Sequence, residues 1–244
     1  MTRALRAELL KLRTARTFWA LAGATVGLVV LITVLTLALT DEFRTEDEAR
    51  SVLSTASASG LLMLVLGVVA SAGEYRHGTI ASTLLFTPRR LRVMAAQALA
   101  CGVTGLVVGL AAAALTAAIA LPWLSAKGAP SLSTGELLGL FFGGGLYTAL
   151  AAALGAGVGA LLRNQVVAVV LVLVVLFIVD PLISSLVDDY TKFSLMGLGT
   201  SMSGGSGDDF GSDLLPFGVA ALVWAGYTAV LVVAAAMLTS RRDI

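Results

Sequence analysis

The 244-residue chain is 58% hydrophobic and only 13% charged, with a mean hydropathy of +0.95. These values exclude an ordinary soluble globular domain and define a polytopic membrane protein. The net charge of +1 carries no signal for nucleic acid, because the charges are segregated along the chain instead of pooled in one basic surface.

Residues 2–16, TRALRAELLKLRTAR, set Leu5, Leu9 and Leu12 on one helical face with Arg3, Arg6 and Arg13 grouped to one side. That pattern predicts an amphipathic helix over 1–17, lying in the membrane interface. A cleavable signal peptide is the competing reading. The apolar run that follows, 18–39, holds 22 residues, too long for a signal core and the right length for a membrane span.

Further apolar runs occupy 52–72, 93–121, 137–162, 166–187 and 214–238. About 20 apolar residues cross the hydrocarbon as a helix, so the expected architecture is an all-α membrane protein with six spans in one domain, 1–244. The fifth run is the most apolar: thirteen of the fourteen residues from Val166 to Val179 are Leu, Ile, Val or Phe.

Between the second and third runs lies the one stretch that gathers chemistry, GEYRHGTIASTLLFTPRRLR at 73–92. Gly78 frees the backbone to turn, and Thr79 is placed to cap a short helix from Ile80 to about Phe86. Pro88 ends that helix by removing a donor and pushing Thr87 out of the helical region. Arg89, Arg90 and Arg92 then meet lipid phosphates, and Glu74, Tyr75, Arg76 and His77 are presented beside the helix.

The loops carry the orientation. With six spans, one side receives twelve basic residues against Glu8, Glu74 and Asp243, and the other receives Arg44, Arg50, Lys127 and Lys192 against eleven acids. The positive-inside rule then places both termini, and the 73–92 loop, in the cytoplasm. On the outer side Ser133 and Glu136 form a capping box for the fourth span.

Asp180 is a carboxylate inside an apolar run and so a functional candidate by default. The favoured alternative is structural: Asp180 as N-cap and Pro181 as first helical residue. On that reading the fifth span breaks at Asp180 and Leu182–Val187 forms a short re-entrant or interfacial helix. Residues 188–213 read as an external loop, and its Asp208, Asp209 and Asp213 match no calcium loop.

Glycines recur four apart at Gly23/Gly27, Gly105/Gly109, Gly139/Gly143 and Gly155/Gly159, spacing that lets helices approach closely in lipid. Packing within the chain is the expectation for them, ahead of a dimer seam. The single cysteine, Cys101, sits in an apolar run and reads as a small packing residue.

Catalytic constellations are absent. No G-x-x-x-x-G-K-[ST] loop occurs, so the chain has no ATP site of its own. His77 is the single histidine, which rules out a histidine metal cluster and an H-E-x-x-H site. Apart from Asp180 the spans hold no ionisable relay for a proton-coupled carrier. An enzyme is not expected.

Two stretches, AELLKLRTARTFW leading into the first span and EYRHGTIASTLLFTPRR after the second, resemble the membrane subunit of an ABC-2 type ATP-binding-cassette transporter. The six spans with an irregular segment after the fifth agree with it. The resemblance implies that Ile80–Thr87 is a coupling helix docking into a cytoplasmic ATPase subunit, and that the N-terminal segment is a connecting helix. Glu74, Arg76, His77, Gly78, Thr79, Ile80, Thr83, Leu84, Pro88, Arg89 and Arg90 would then carry the ATPase contact. It further implies that ATP and Mg are bound by the partner, with two ATPase copies and a homodimer or heterodimer of permeases in the cell membrane. The expected function is ATP-driven export of an amphipathic or hydrophobic molecule. The alternative is a non-transporting binding, immunity or sensory protein that holds a cytoplasmic partner through the same loop.

Overall fold

A chain in hydrocarbon has no water to satisfy its peptide groups, so helices that close their own hydrogen bonds are the economical solution. In the computed structural model, residues 2–40, 43–76, 78, 90–205 and 214–241 are described, and every regular element among them is helical. Helix α1 (Thr2–Thr14) is parted by Ala15 alone from α2 (Arg16–Leu39). The corner is pinned where Trp19 Nε1 donates to the Arg13 carbonyl at 3.0 Å.

The second crossing is compound. Helix α3 (Glu46–Ser54) runs through a 3-10 turn (Thr55–Ala58) into α4 (Ser59–Arg76). Its start is set by a capping box in which Glu48 N donates to Thr45 Oγ1 and Thr45 N donates back to Glu48 Oε2. Glu46, Asp47 and Glu48 add favourable charge to the first turn. The polar first turns of this helix lie outside the apolar run that marks the span.

Helix α5 (Arg90–Ala126) accommodates Pro122 in its last turns. Helix α6 (Thr134–Leu162) begins at the Ser133–Glu136 capping box expected from sequence. Helix α7 (Gln165–Leu186) starts where Asn164 Oδ1 accepts from Val166 N and Val167 N. Helix α8 (Leu195–Ser203) and helix α9 (Phe217–Arg241) complete the order. Among the described residues six helices are long and apolar enough to cross a membrane. Their alternation defines two ends of the bundle: a first face, with α1 and the end of α4, and an opposite face, with α3 and α8.

Helix α6 is the centre of the bundle, packed on α4, α5 and α9. Its buried side is almost wholly glycine and alanine, from Gly143 to Ala160. With no hydrophobic drive between helices in lipid, close van der Waals approach must hold the seam. A β-carbon at Gly155 would collide with the Leu64 carbonyl, and one at Gly159 would stand 2.6 Å from the Val68 carbonyl. Gly105 and Gly109 make the equivalent approach to Thr148. Two of the four glycine pairs therefore pack within the chain, while Gly23 and Gly27 have nothing within 4 Å of an added β-carbon.

Asp180 departs from its sequence reading. Its backbone is helical, with φ −60° and ψ −52°, and no side-chain cap forms on its own helix. Instead of breaking at Asp180-Pro181, α7 passes through a π turn (Val175–Val179) and continues to Leu186. The wider turn lets the helix carry Pro181 without a stop. A 3-10 turn (Asp188–Lys192) follows the span, and the short α-helix after it is α8, packed against α6 and α9.

Candidate functional site

The polar chemistry of the first face collects under α1. Glu8 and Lys11 are three residues apart and so share one side of the helix. Lys11 Nζ donates to Glu8 Oε1 at 2.6 Å and reaches Glu74 Oε1, in the last turn of α4, at 2.9 Å. One lysine thus bridges two carboxylates and ties α1 to the end of the second crossing.

Burial decides the electrostatics. The Glu8 and Glu74 side chains are 8% and 11% exposed, against 42% for Lys11. Burial first, and then the charge of Glu74, hold the Glu8 carboxyl above its ordinary range despite the lysine. Burial opposes the charge of Lys11, but its hydrogen bonds to Glu8 and Glu74 outweigh that and raise its pKa. The cluster lines a cleft of about 630 Å³ bounded by α1, the start of α2, the second half of α4, the first half of α5 and Gln165 at the start of α7.

The flank of the 73–92 stretch is built from neighbours. The Tyr75 ring lies under the Arg163 guanidinium, 5.3 Å from its centroid, and Arg76 is exposed at the cleft. Gly78 takes a left-handed φ of 69° and its N–H donates to the Tyr75 carbonyl, so the turn expected of this glycine is present. Arg90 opens α5, with one guanidinium nitrogen buried and unpartnered among the described residues. His77, Thr79, Ile80, Thr83, Leu84, Pro88 and Arg89 lie outside the described residues.

Sequence reasoning passed over Glu8 and Lys11 as more than topology markers. A signal was there: Leu5, Glu8 and Leu12 fall at i, i+3 and i+7, so the acid sits on the apolar stripe of α1. Gln97 and Cys101, which also line the cleft, carry no such signal.

Polar groups of the opposite face tie neighbouring elements together. Asp180, 1% exposed, accepts from the Tyr190 hydroxyl at 2.8 Å and from Met196 N at 3.0 Å. It thereby satisfies an N-terminal amide of α8, while Ser194 takes the next from Gly197 at 2.8 Å. Burial and then the Asp180 bond push the Tyr190 phenol up to about 12. Arg50 pairs with Glu136, joining α3 to α6. Lys127 donates to the carbonyls of Leu37, at 2.9 Å, and Thr40, and stands 5.4 Å over the Phe43 ring. No group of metal-ligating side chains forms among the described residues.

No curated protein matches the chain. The model of the family described as ABC-2 family transporter protein matches residues 4–179, well over half of the chain, taking in nearly all of α1, the buried cluster at its base, the first four crossings and most of the fifth. A six-crossing helical protein whose sequence fits that model over this length belongs to the ABC-2 family of transporter proteins.

Proposed function

We propose that this chain is the permease subunit of an exporter whose energy comes from ATP hydrolysis on a separate ABC ATPase, docked on the first face. The family implies a transport permease that partners with an ABC ATPase subunit. The observation that carries the docking reading is the Lys11 bridge from Glu8 to Glu74. It stiffens the last turn of α4, and Glu74 stands six residues before Ile80, where the coupling helix is expected to begin. A push on that segment would then reach α1 and α5 together rather than dissipate in a loop.

In this reading both termini and the 77–89 segment are cytoplasmic, a placement the charge segregation supports, and α1 lies in the inner interface of the cell membrane. ATP and Mg reside on the ATPase, present in two copies, and two permeases, alike or different, enclose the path. The spans offer Thr, Tyr and Gly as their polar relief, which fits an amphipathic or hydrophobic cargo.

The test is transport. The permease is reconstituted with the ATPase that copurifies with it, in sealed vesicles. ATP-dependent movement of a lipophilic fluorescent cargo, absent without the ATPase, supports export. Partner binding with no movement of any cargo supports the non-transporting reading instead.

A further inference from the structure

The central helix α6 ends on a residue that its backbone does not favour. Arg163, the C-cap, is the one residue other than glycine with a positive φ among the described residues, at 57°. In this left-handed conformation its N–H donates to the Gly159 carbonyl at 3.0 Å and closes the helix. Capping alone is served better by glycine, which has no β-carbon to crowd. The side chain supplies the reason for an arginine: its guanidinium lies over the Tyr75 ring, 5.3 Å from the centroid, within reach of a cation–π contact.

Both partners stand at junctions. The Tyr75 ring packs against the core cluster that includes Met94, with its hydroxyl 4.0 Å from the Met94 sulfur. The Tyr75 carbonyl accepts from Gly78 N–H at 3.3 Å, so Tyr75 is the root of the turn that leads into the 77–89 segment. On the other side, Arg163 and Asn164 are the whole connection between α6 and α7, and the Asn164 side chain caps α7 at Val166 and Val167. So short a link has little slack, and a shift of Arg163 is passed to the first turn of α7. That span is also the least enclosed: 17% of its most apolar stretch is buried, against 22% or more for the other five. Little packing within the chain holds it in place.

We infer that Arg163 is a positioning residue, which through the Tyr75 ring ties the start of α7 to the root of the 77–89 segment. As a step in transport this rests on the docking reading above, in which the ATPase acts on that segment. As a contact it is measured on the permease chain alone, so the two fail separately.

The first measurement is amide hydrogen exchange, read by mass spectrometry, on the chain in nanodiscs with no ATPase. Tyr75→Leu removes the ring and leaves Arg163, Asn164 and α7 unaltered. The amides of Val166 and Val167 are then expected to exchange about fivefold faster, the factor that one partly buried cation–π contact supports. Tyr75→Phe keeps the ring and is expected to leave the rate unchanged. Arg163→Gly relaxes the backbone, so the thermal midpoint should hold or rise, and Tyr75→Leu made on top of it should add nothing to the exchange. Arg163→Lys, which keeps the charge, should recover much of the slow exchange. Arg163 is engaged beyond this ring as well, and the double substitution isolates the Tyr75 contact.

The second measurement uses the permease reconstituted with its copurifying ATPase. Tyr75→Leu and Arg163→Gly are each expected to lower the movement of the lipophilic fluorescent cargo per ATP hydrolysed about fivefold, with the ATPase still bound. Exchange unchanged by Tyr75→Leu, or a Tyr75→Leu effect of full size on the Arg163→Gly background, would overturn the assignment. Cargo movement per ATP left intact by both variants would overturn it equally. Absence of any bound ATPase would instead overturn the docking reading, while the exchange result would still support the contact.

Discussion

The two ends of the bundle handle buried charge in opposite ways. On the opposite face three polar contacts tie one element to another at separate points: Asp180 to Tyr190 and α8, Lys127 to the end of α2, Arg50 to Glu136. On the first face Glu8, Lys11 and Glu74 gather at one place, beside a cleft that Arg76 also lines. The first arrangement locks neighbouring elements together at separate points; the second ties α1 to the end of α4 at one point, next to the segment where a partner is expected.

The strongest way to break this contrast is to attack the seam both ends depend on. Gly155→Leu drives a side chain into the Leu64 carbonyl and is expected to destabilise by about 3 kcal/mol or more. Size-exclusion profiles in detergent should show loss of the monodisperse species. Gly23→Leu, with nothing within 4 Å, should leave the profile unchanged.

Next in size is Asp180→Ala, which strands the Tyr190 hydroxyl and an amide of α8. A loss of about 2–4 kcal/mol is expected, read as a lowered thermal midpoint, and Asp180→Asn should recover part of it. An undisturbed midpoint would show that the carboxylate is held for some purpose other than capping.

A third prediction separates the faces by pH. The Glu8 carboxyl is held above its ordinary 4.5, chiefly by burial. A raised carboxyl contributes stability that is fully present below the unfolded value and lost as pH rises through the folded one. The chain should therefore lose stability as pH rises above about 4.5, and Glu8→Gln should flatten that loss. The smallest effect is expected for Arg50→Gln: its pair with Glu136 is about one-third exposed on both sides, so the change should be at most about 1 kcal/mol.

The six crossings are legible in the sequence because a run of about 20 apolar residues has few other uses. The charge-capped start at Ser133 and Glu136 is legible for a similar reason, since its residues and spacing have one structural meaning. Helix α3 is not, because its first turns are acidic and end the apolar run early. Asp180-Pro181 misleads: its residues suit a helix start, but the π turn before it makes room for the proline, and the carboxylate caps a helix that begins at Leu195. Local preference yields there to a tertiary bond ten residues away and another sixteen away. At the first face Glu8 betrays itself by its place on a leucine stripe, whereas the cleft it borders is a product of five helices and has no trace in any one of them.

The account turns on whether the segment between α4 and α5 holds an ATPase. The direct measurement is affinity purification of the tagged chain from its own membranes, with mass spectrometry counting partner chains that carry a Walker A loop. An ABC ATPase should copurify with the unaltered chain and be lost with Ile80→Asp, and with Gly78→Pro, whose ring cannot take a φ of 69°, while expression and the monodisperse profile persist. An ATPase retained in full by both variants would contradict docking at this segment.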